Sequence, residues 1–400
     1  MDQLSRWKHK YGDKMDFNNK IDKNNIQKKC GKMGLVFLIS VLIFSCFNND
    51  KEKIYTETVD GLFDTVHVIS GYDKSEKEFK EKVKFYQQEM EKLHKLYTSY
   101  ENFKGINNIR TINENAGIKP VKVDRNIINL LKDTLERNRE ISDKVNIAAG
   151  NVIDLWDKAK TEGKLPEQSE LEKMQKCAKP ENIVIDEQNS TVYLKEKCTK
   201  LNVGAVAKGY AVELVTEKME KAGITSFIIS AGGNVKIVGK RKIPKKENEI
   251  TDLKSCKNQF CVGISLPLYN EKNIDKNNPY NNKKNDYLAK VSAENMSIVT
   301  TGNYQRYFVM DSKVYGHVIN LETLKPEDSF ASVSIITEDS GLADFMSTTL
   351  FLLSYEEGKA LIEKIGKKEK IDVIWAMKNG DVVSSEGLIS GENYVKYNFK

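Results

Sequence analysis

Gly341-Leu342-Ala343-Asp344-Phe345-Met346-Ser347-Thr348-Thr349-Leu350 is the stretch around which the rest of the chain is organised. Leu342, Phe345, Met346, Thr349 and Leu353 recur at helical spacing and predict one apolar stripe turned toward a core. Asp344 and Thr348 fall on the other side, one turn apart, so their side chains can meet at one point. A carboxylate and a hydroxyl are hard oxygen donors suited to magnesium. A surface Asp and Thr on an ordinary amphipathic helix have the same spacing, so the pair gains meaning only from its company.

Composition narrows that company. The 400 residues allow a large core, and 63 basic against 57 acidic residues give a formal charge of +6. No aromatic-interleaved basic stripe concentrates the excess, which argues against a nucleic-acid partner. Residues 1–32 are polar and Lys/Asn-rich, and are expected to be an unstructured or untranslated extension. Residues 33–46 have a basic approach, a short apolar run and a small residue before a cysteine, the shape of a secretion signal. The run is short for a membrane span. Ile43-Phe44-Ser45-Cys46 resembles a bacterial lipobox, which implies lipidation at Cys46 and a location on the outer face of the cell membrane. Residues 47–60 then read as a tether and 61–400 as one domain. Of the remaining cysteines, Cys177 with Cys198 and Cys256 with Cys261 are conceivable pairs, and spacing does not fix connectivity.

Along the domain, residues 61–70 are rich in strand formers. Ser75 with Glu78 opens a long helix whose stripe is Phe79, Val83, Tyr86, Met90, Leu93 and Tyr97. Residues 98–117 read as polar loop, and Asp124 caps a second helix. Small residues at Val145-Asn146-Ile147-Ala148-Ala149-Gly150 let a flat ligand approach the backbone, and Trp156 could wall a pocket, although packing explains both equally. Asn202-Val203-Gly204-Ala205-Val206-Ala207-Lys208-Gly209 leads into another helix, where unpaired amides and Lys208 suit a phosphate. Gly232 and Gly233 fall between strands, as in a tight turn. Thr301 ends a strand, and His317, one of 4 histidines, lies in a later one.

The order of these blocks resembles the ApbE family, the FAD:protein FMN transferases, from Gly61 to the C-terminus. The blocks Val203 to Ala211, Ser230 to Asn234, Val299 to Phe308 and Leu342 to Leu350 carry the likeness, linked by Tyr315 to Pro326. The resemblance implies an α+β fold, a single domain with a mixed β-sheet and packed helices. It implies Mg2+ held by Asp344, Thr348 and the Ala205 carbonyl, with FAD as substrate contacting Tyr100, Lys144, Val145, Asn146, Asn202, Ala205, Lys208, Gly232, Gly233 and Thr301. His317 and Asp344 are the expected catalytic residues. The implied reaction moves FMN onto a threonine or serine hydroxyl of an acceptor protein and releases AMP. Hydrolysis of FAD to FMN and AMP, or flavin binding without chemistry, are the alternative readings. The family usually has Asp at positions 202 and 320, where this chain has Asn, and often Ser at position 301.

Overall fold

The computed structural model describes residues 52–242, 259–265, 287–304, 306–311, 313–385, 388 and 394–396. All belong to the compact unit Val41–Lys400, and Cys46 with the signal segment lies outside the described residues. The strands β1 (Lys53–Leu62) and β2 (Thr65–Asp73) form an opening hairpin, followed by helices α1 (Glu76–Tyr97) and α2 (Ile109–Glu114). Strand β3 (Val121–Lys122) precedes α3 (Arg125–Glu140), α4 (Gly150–Glu162) and α5 (Gln168–Gln175). Next come β4 (Ile183–Asp186), β5 (Thr191–Leu194), α6 (Ala207–Lys221), β6 (Phe227–Ala231) and β7 (Asn234–Val238). The middle of the chain holds β8 (Phe260–Ser265), β9 (Tyr287–Ala293), β10 (Ser297–Gly302), β11 (Tyr307–Met310) and β12 (Lys313–Gly316). After β13 (Ile319–Asn320), β14 (Lys325–Pro326) and β15 (Phe330–Thr337) come α7 (Ser340–Leu352) and α8 (Tyr355–Ile365). Strands β16 (Ile371–Met377), β17 (Val382–Ser384) and β18 (Tyr394–Lys396) close the described chain.

Eight strands in the order β1-β2-β6-β7-β10-β15-β16-β17 make the main sheet. Its ladders among the described residues are all antiparallel, so the α+β class stands but the sheet expected to be mixed is not. The hydrogen-bonded sheet also begins earlier than expected: β1 recruits residues 53–60, which the sequence reading left in the tether. Cross-strand pairs with β2 explain why, since Val59 and Leu62 bury against the core.

The α1 stripe packs as its spacing requires, with Tyr86 and Met90 completely enclosed. Helix α2 is a departure, because residues 98–117 read as polar loop. Asn108 caps it, accepting from the Thr111 amide, while the Thr111 hydroxyl accepts from the Asn108 amide. That reciprocal cap, with Ile109 and Ile112 buried, stabilises a six-residue helix too short to show a periodicity. Trp156 is occupied in packing: its indole donates to the Leu324 carbonyl within a cluster of Val152, Ala159 and Leu171.

The larger departure concerns α7. Every one of its residues is buried, including the polar ones, so it is no amphipathic surface helix. Strands β10 and β15 cover one side and α6 another, which leaves Asp344 and Thr348 facing protein. Such burial requires partners for each polar group. At the α7 N-terminus, Asp339 accepts from the Leu342 amide and also pairs with Arg137 of α3. Nearby, Lys236 of β7 is buried and bonds both carboxylate oxygens of Glu213 at 3.0 and 2.9 Å. Lys236→Met removes one partner and leaves a half-buried carboxylate without its counterion. That variant is expected to lose about 1–3 kcal/mol of unfolding free energy, read from urea titrations at neutral pH.

Candidate functional site

The site grows from the junction of α6 and α7. Val206 precedes α6 without a side-chain cap, which leaves the first amides of the helix seeking acceptors. Asp344 supplies one from the neighbouring helix: its Oδ2 accepts from the Gly209 amide at 2.7 Å, and Oδ1 lies 3.5 Å from Lys208 Nζ. As the third residue of α6, Gly209 has an amide with no partner inside the helix, and Asp344 satisfies it from outside. Such an approach needs glycine at position 209, because a Cβ there would sit 2.4 Å from the Asp344 Cβ and 2.5 Å from the Ser340 carbonyl. Asp344 is 7% exposed and Thr348 8%, so both are enclosed but reached by solvent.

Thr301 joins from β10. Its hydroxyl is 2.8 Å from Ser347 Oγ and 3.5 Å from Thr348 Oγ1. A carboxylate, a threonine hydroxyl and a backbone carbonyl are the donor set that magnesium takes, leaving the remaining positions to water and phosphate. The residues present therefore fit the ion. Among the described residues no group of three or more His, Cys, Asp or Glu is placed to hold a metal. The expected set contains a single carboxylate and does not depend on one.

His317 lies beyond β12, its Nδ1 3.1 Å from the Arg306 carbonyl. Solvent reaches the ring, yet desolvation by the surrounding protein, then the charges of Arg306, Lys160 and Lys208, push it down to about 4. The neutral ring therefore donates from Nδ1 to the carbonyl and presents Nε2 as an acceptor. Lys208 acts on both His317 and the sequestered His67, which ties the two histidines electrostatically to the α6 N-terminus.

His67 was not singled out from sequence. Its ring is fully buried on β2, with Tyr86 Oη at 2.7 Å from Nδ1 and the Leu62 carbonyl at 3.1 Å from Nε2. Nε2 donates to the carbonyl, so Nδ1 accepts from the phenol. Burial lowers its pKa from 6.5 to about 4. Between those values the unfolded chain binds a proton that the folded protein refuses, so stability falls as pH drops from 6.5 toward 4. Wild type is expected to lose roughly 3 kcal/mol through this residue across that window, a loss His67→Gln would lack, in urea titrations at pH 7 and pH 4.

The other expected flavin contacts divide. Tyr100 is 54% exposed; burial raises its phenol pKa first, the nearby Asp157 carboxylate adds to that and Asn202 works against it, so the first two lie together beside an α4 carboxylate that sequence reading missed. Asn202 Oδ1 also accepts from the Gly204 amide at 2.9 Å, shaping the turn that carries Ala205. Val145 is buried, Lys144 pairs with Glu322, and Asn146 spends its amide on the Ala178 carbonyl and its oxygen on the Ala148 amide. That segment is joined to the site through the Asn202 amide, which donates to the Ile147 carbonyl at 2.9 Å. Gly232 and Gly233 form the β6–β7 turn at φ 53° and 90°, and a Cβ on Gly232 would press within 2.4 Å of Thr65. Turn geometry and packing account for both glycines.

Asn320 is explained by its neighbour. Its Nδ2 donates to Glu327 Oε2 at 2.8 Å, a bond an aspartate could not make. Burial works against ionisation of Glu327, but hydrogen bonds from Asn320, Ser329 and two amides outweigh it and hold the carboxyl low. Cys177 and Cys198 form a disulfide. Cys261 is disulfide-bonded too, and Cys256, its expected partner, lies outside the described residues.

An antiparallel sheet backed by two helices that meet at a carboxylate and a lysine defines a class, an α+β protein whose helix junction suits a cation and an anionic ligand. The chain belongs to the ApbE family, whose profile matches residues 63–375. It is 25% identical over 299 residues to an FAD:protein FMN transferase of Klebsiella pneumoniae, covering 74% of this chain and 84% of that one. The enzyme of the same name from Escherichia coli K12 is 24% identical, with 78% and 81% covered. Among solved structures, the ApbE protein of Thermotoga maritima superposes with a TM-score of 0.67 at 20% identity, covering 84% of this chain and 97% of that one. Apo flavinyl transferase ApbE of Pseudomonas stutzeri gives 0.65 at 18% identity, with 85% and 97% covered.

Proposed function

We propose that this protein transfers the FMN half of FAD onto a threonine or serine hydroxyl of an acceptor protein, with Mg2+, and releases AMP. The observation that carries the reading is the Asp344 carboxylate seated on the Gly209 amide beside Lys208, in a chain whose relatives are named for this reaction. Asp344, Thr348 and the Ala205 carbonyl would hold the ion, which would neutralise the diphosphate and make its phosphorus more electrophilic. Lys208 and the α6 amides bind phosphate oxygens. Thr301, itself held by Ser347, orients the Thr348 hydroxyl. The acceptor hydroxyl oxygen bonds the FMN phosphorus, the bond from that phosphorus to the bridging oxygen breaks, and AMP leaves with the bridge. His317 Nε2 takes the hydroxyl proton. Alone it is a weak base, but an incoming diphosphate raises its affinity for a proton, which places basicity where substrate is bound.

The proposal extends to location: a lipid on Cys46 anchors the enzyme to the outer face of the membrane, where it meets extracellular or membrane flavoproteins. The Cys177–Cys198 disulfide supports an oxidising compartment. Incubating the full chain with FAD, Mg2+ and an acceptor carrying an Asp-Gly-Ala-Thr segment should leave a fluorescent flavin on the acceptor after denaturing electrophoresis, with AMP in solution. AMP without labelled acceptor would select hydrolysis. Tight FAD binding with no turnover would select a flavin-binding protein without chemistry.

A further inference from the structure

The pair of half-buried Glu213 and buried Lys236 takes no part in the reaction above, yet it is built into the same helix junction. Glu213 Oε2 accepts from the Ser340 amide, the first residue of α7, at 2.6 Å. Lys236 Nζ completes the arrangement by donating to both Glu213 oxygens and to the Glu338 carbonyl at 2.7 Å. The Ser340 hydroxyl is fixed in turn by Asn234 Oδ1 at 2.9 Å. Gly209 and Glu213 are one turn apart on α6, as Ser340 and Asp344 are on α7. The two helices therefore exchange caps: Asp344 of α7 accepts from an amide of α6, and Glu213 of α6 accepts from an amide of α7. Two such bonds fix both the separation and the register of the helices, and the absence of a side chain at Gly209 lets them approach closely enough to form.

We propose that Glu213 is a positioning residue for the cation site: by holding the start of α7 against α6 it sets where Asp344, and Thr348 one turn further, present their oxygens. Sequence position gives no hint of it, since Glu213 lies on a helix face that reads as ordinary polar surface. The inference rests on the magnesium-dependent reading above and concerns the geometry of its ligands. Lys236 is the counterion that lets a carboxylate perform this task inside the protein.

The test uses the full chain and Mn2+ as the probe, with bound and free ion separated by electron paramagnetic resonance. Glu213→Met combined with Lys236→Met removes the anchor without stranding a charge, while Glu213→Gln keeps an oxygen able to accept from Ser340. The double variant is expected to weaken Mn2+ binding about tenfold and Glu213→Gln no more than about threefold, as for a residue that orients a ligand. Turnover by the double variant should recover at saturating metal. Unchanged Mn2+ affinity in a folded double variant overturns the positioning role, as does equal weakening in both variants. Wild type that binds no Mn2+ overturns the metal reading itself, and the positioning role with it.

Discussion

Asp344→Asn is expected to lower flavin transfer about a thousandfold, since the carboxylate would hold the ion that neutralises diphosphate charge, an effect worth several kcal/mol in the transition state. The fold should survive. Asparagine is nearly isosteric, and its carbonyl oxygen can still accept from the Gly209 amide that Asp344 binds at 2.7 Å. Asp344→Ala should behave differently, losing activity and also about 1 kcal/mol of stability, because α6 has no cap of its own. Rates measured at saturating FAD, with melting temperatures alongside, separate charge from cap. A melting temperature that falls equally in both variants, with activity retained in Asn, would remove Asp344 from the site.

Gly209→Ala should be damaging out of proportion to its single added methyl group. Its carbon would lie 2.4 Å from the Asp344 Cβ and 2.5 Å from the Ser340 carbonyl, and neither neighbour is the loose end of a flexible side chain. Helices α6 and α7 must separate, at a cost of about 3 kcal/mol for overpacking. A displacement of about 1 Å at Asp344 would by itself lower turnover roughly a hundredfold. The expected result is a folded but less stable protein with little transfer activity, read by unfolding titration and product formation on one preparation. Wild-type rates would show that the helix contact is loose and that its geometry does not matter.

Much of the fold was legible because long stripes leave a clear trace. The α1 stripe, the hairpin of β16 and β17, and the Ser354 cap of α8 all follow from local pattern. Helix α2 was not legible, since six residues show no periodicity and its stability comes from the Asn108 and Thr111 cap. The first strand was missed because residues 53–60 have the polarity of an edge strand, and only the partner β2 gives them a structure.

The site was legible by a different route. Asp344 with Thr348 stood out by spacing, Lys208 by its place at a helix start and Thr301 through family resemblance, and the structure gathers them where α6, α7 and β10 meet. What sequence could not convey is that α7 is buried on all sides, which converts an apparent surface pair into an interior one. Glu213 escaped notice for the same reason: its amide partner, Ser340, is 127 residues away and no local spacing encodes the contact. His67 was equally silent, because a histidine in a strand carries no mark of the phenol and carbonyl that enclose it.

The central claim is that the α6–α7 junction grips the diphosphate of a dinucleotide through a divalent ion held by Asp344. Equilibrium binding of FAD with acceptor omitted, with and without Mg2+, compares wild type with Asp344→Asn most directly. Wild type should bind FAD at least about tenfold more tightly with Mg2+, and the variant should show no such gain. Equal affinity in all four conditions would contradict the account.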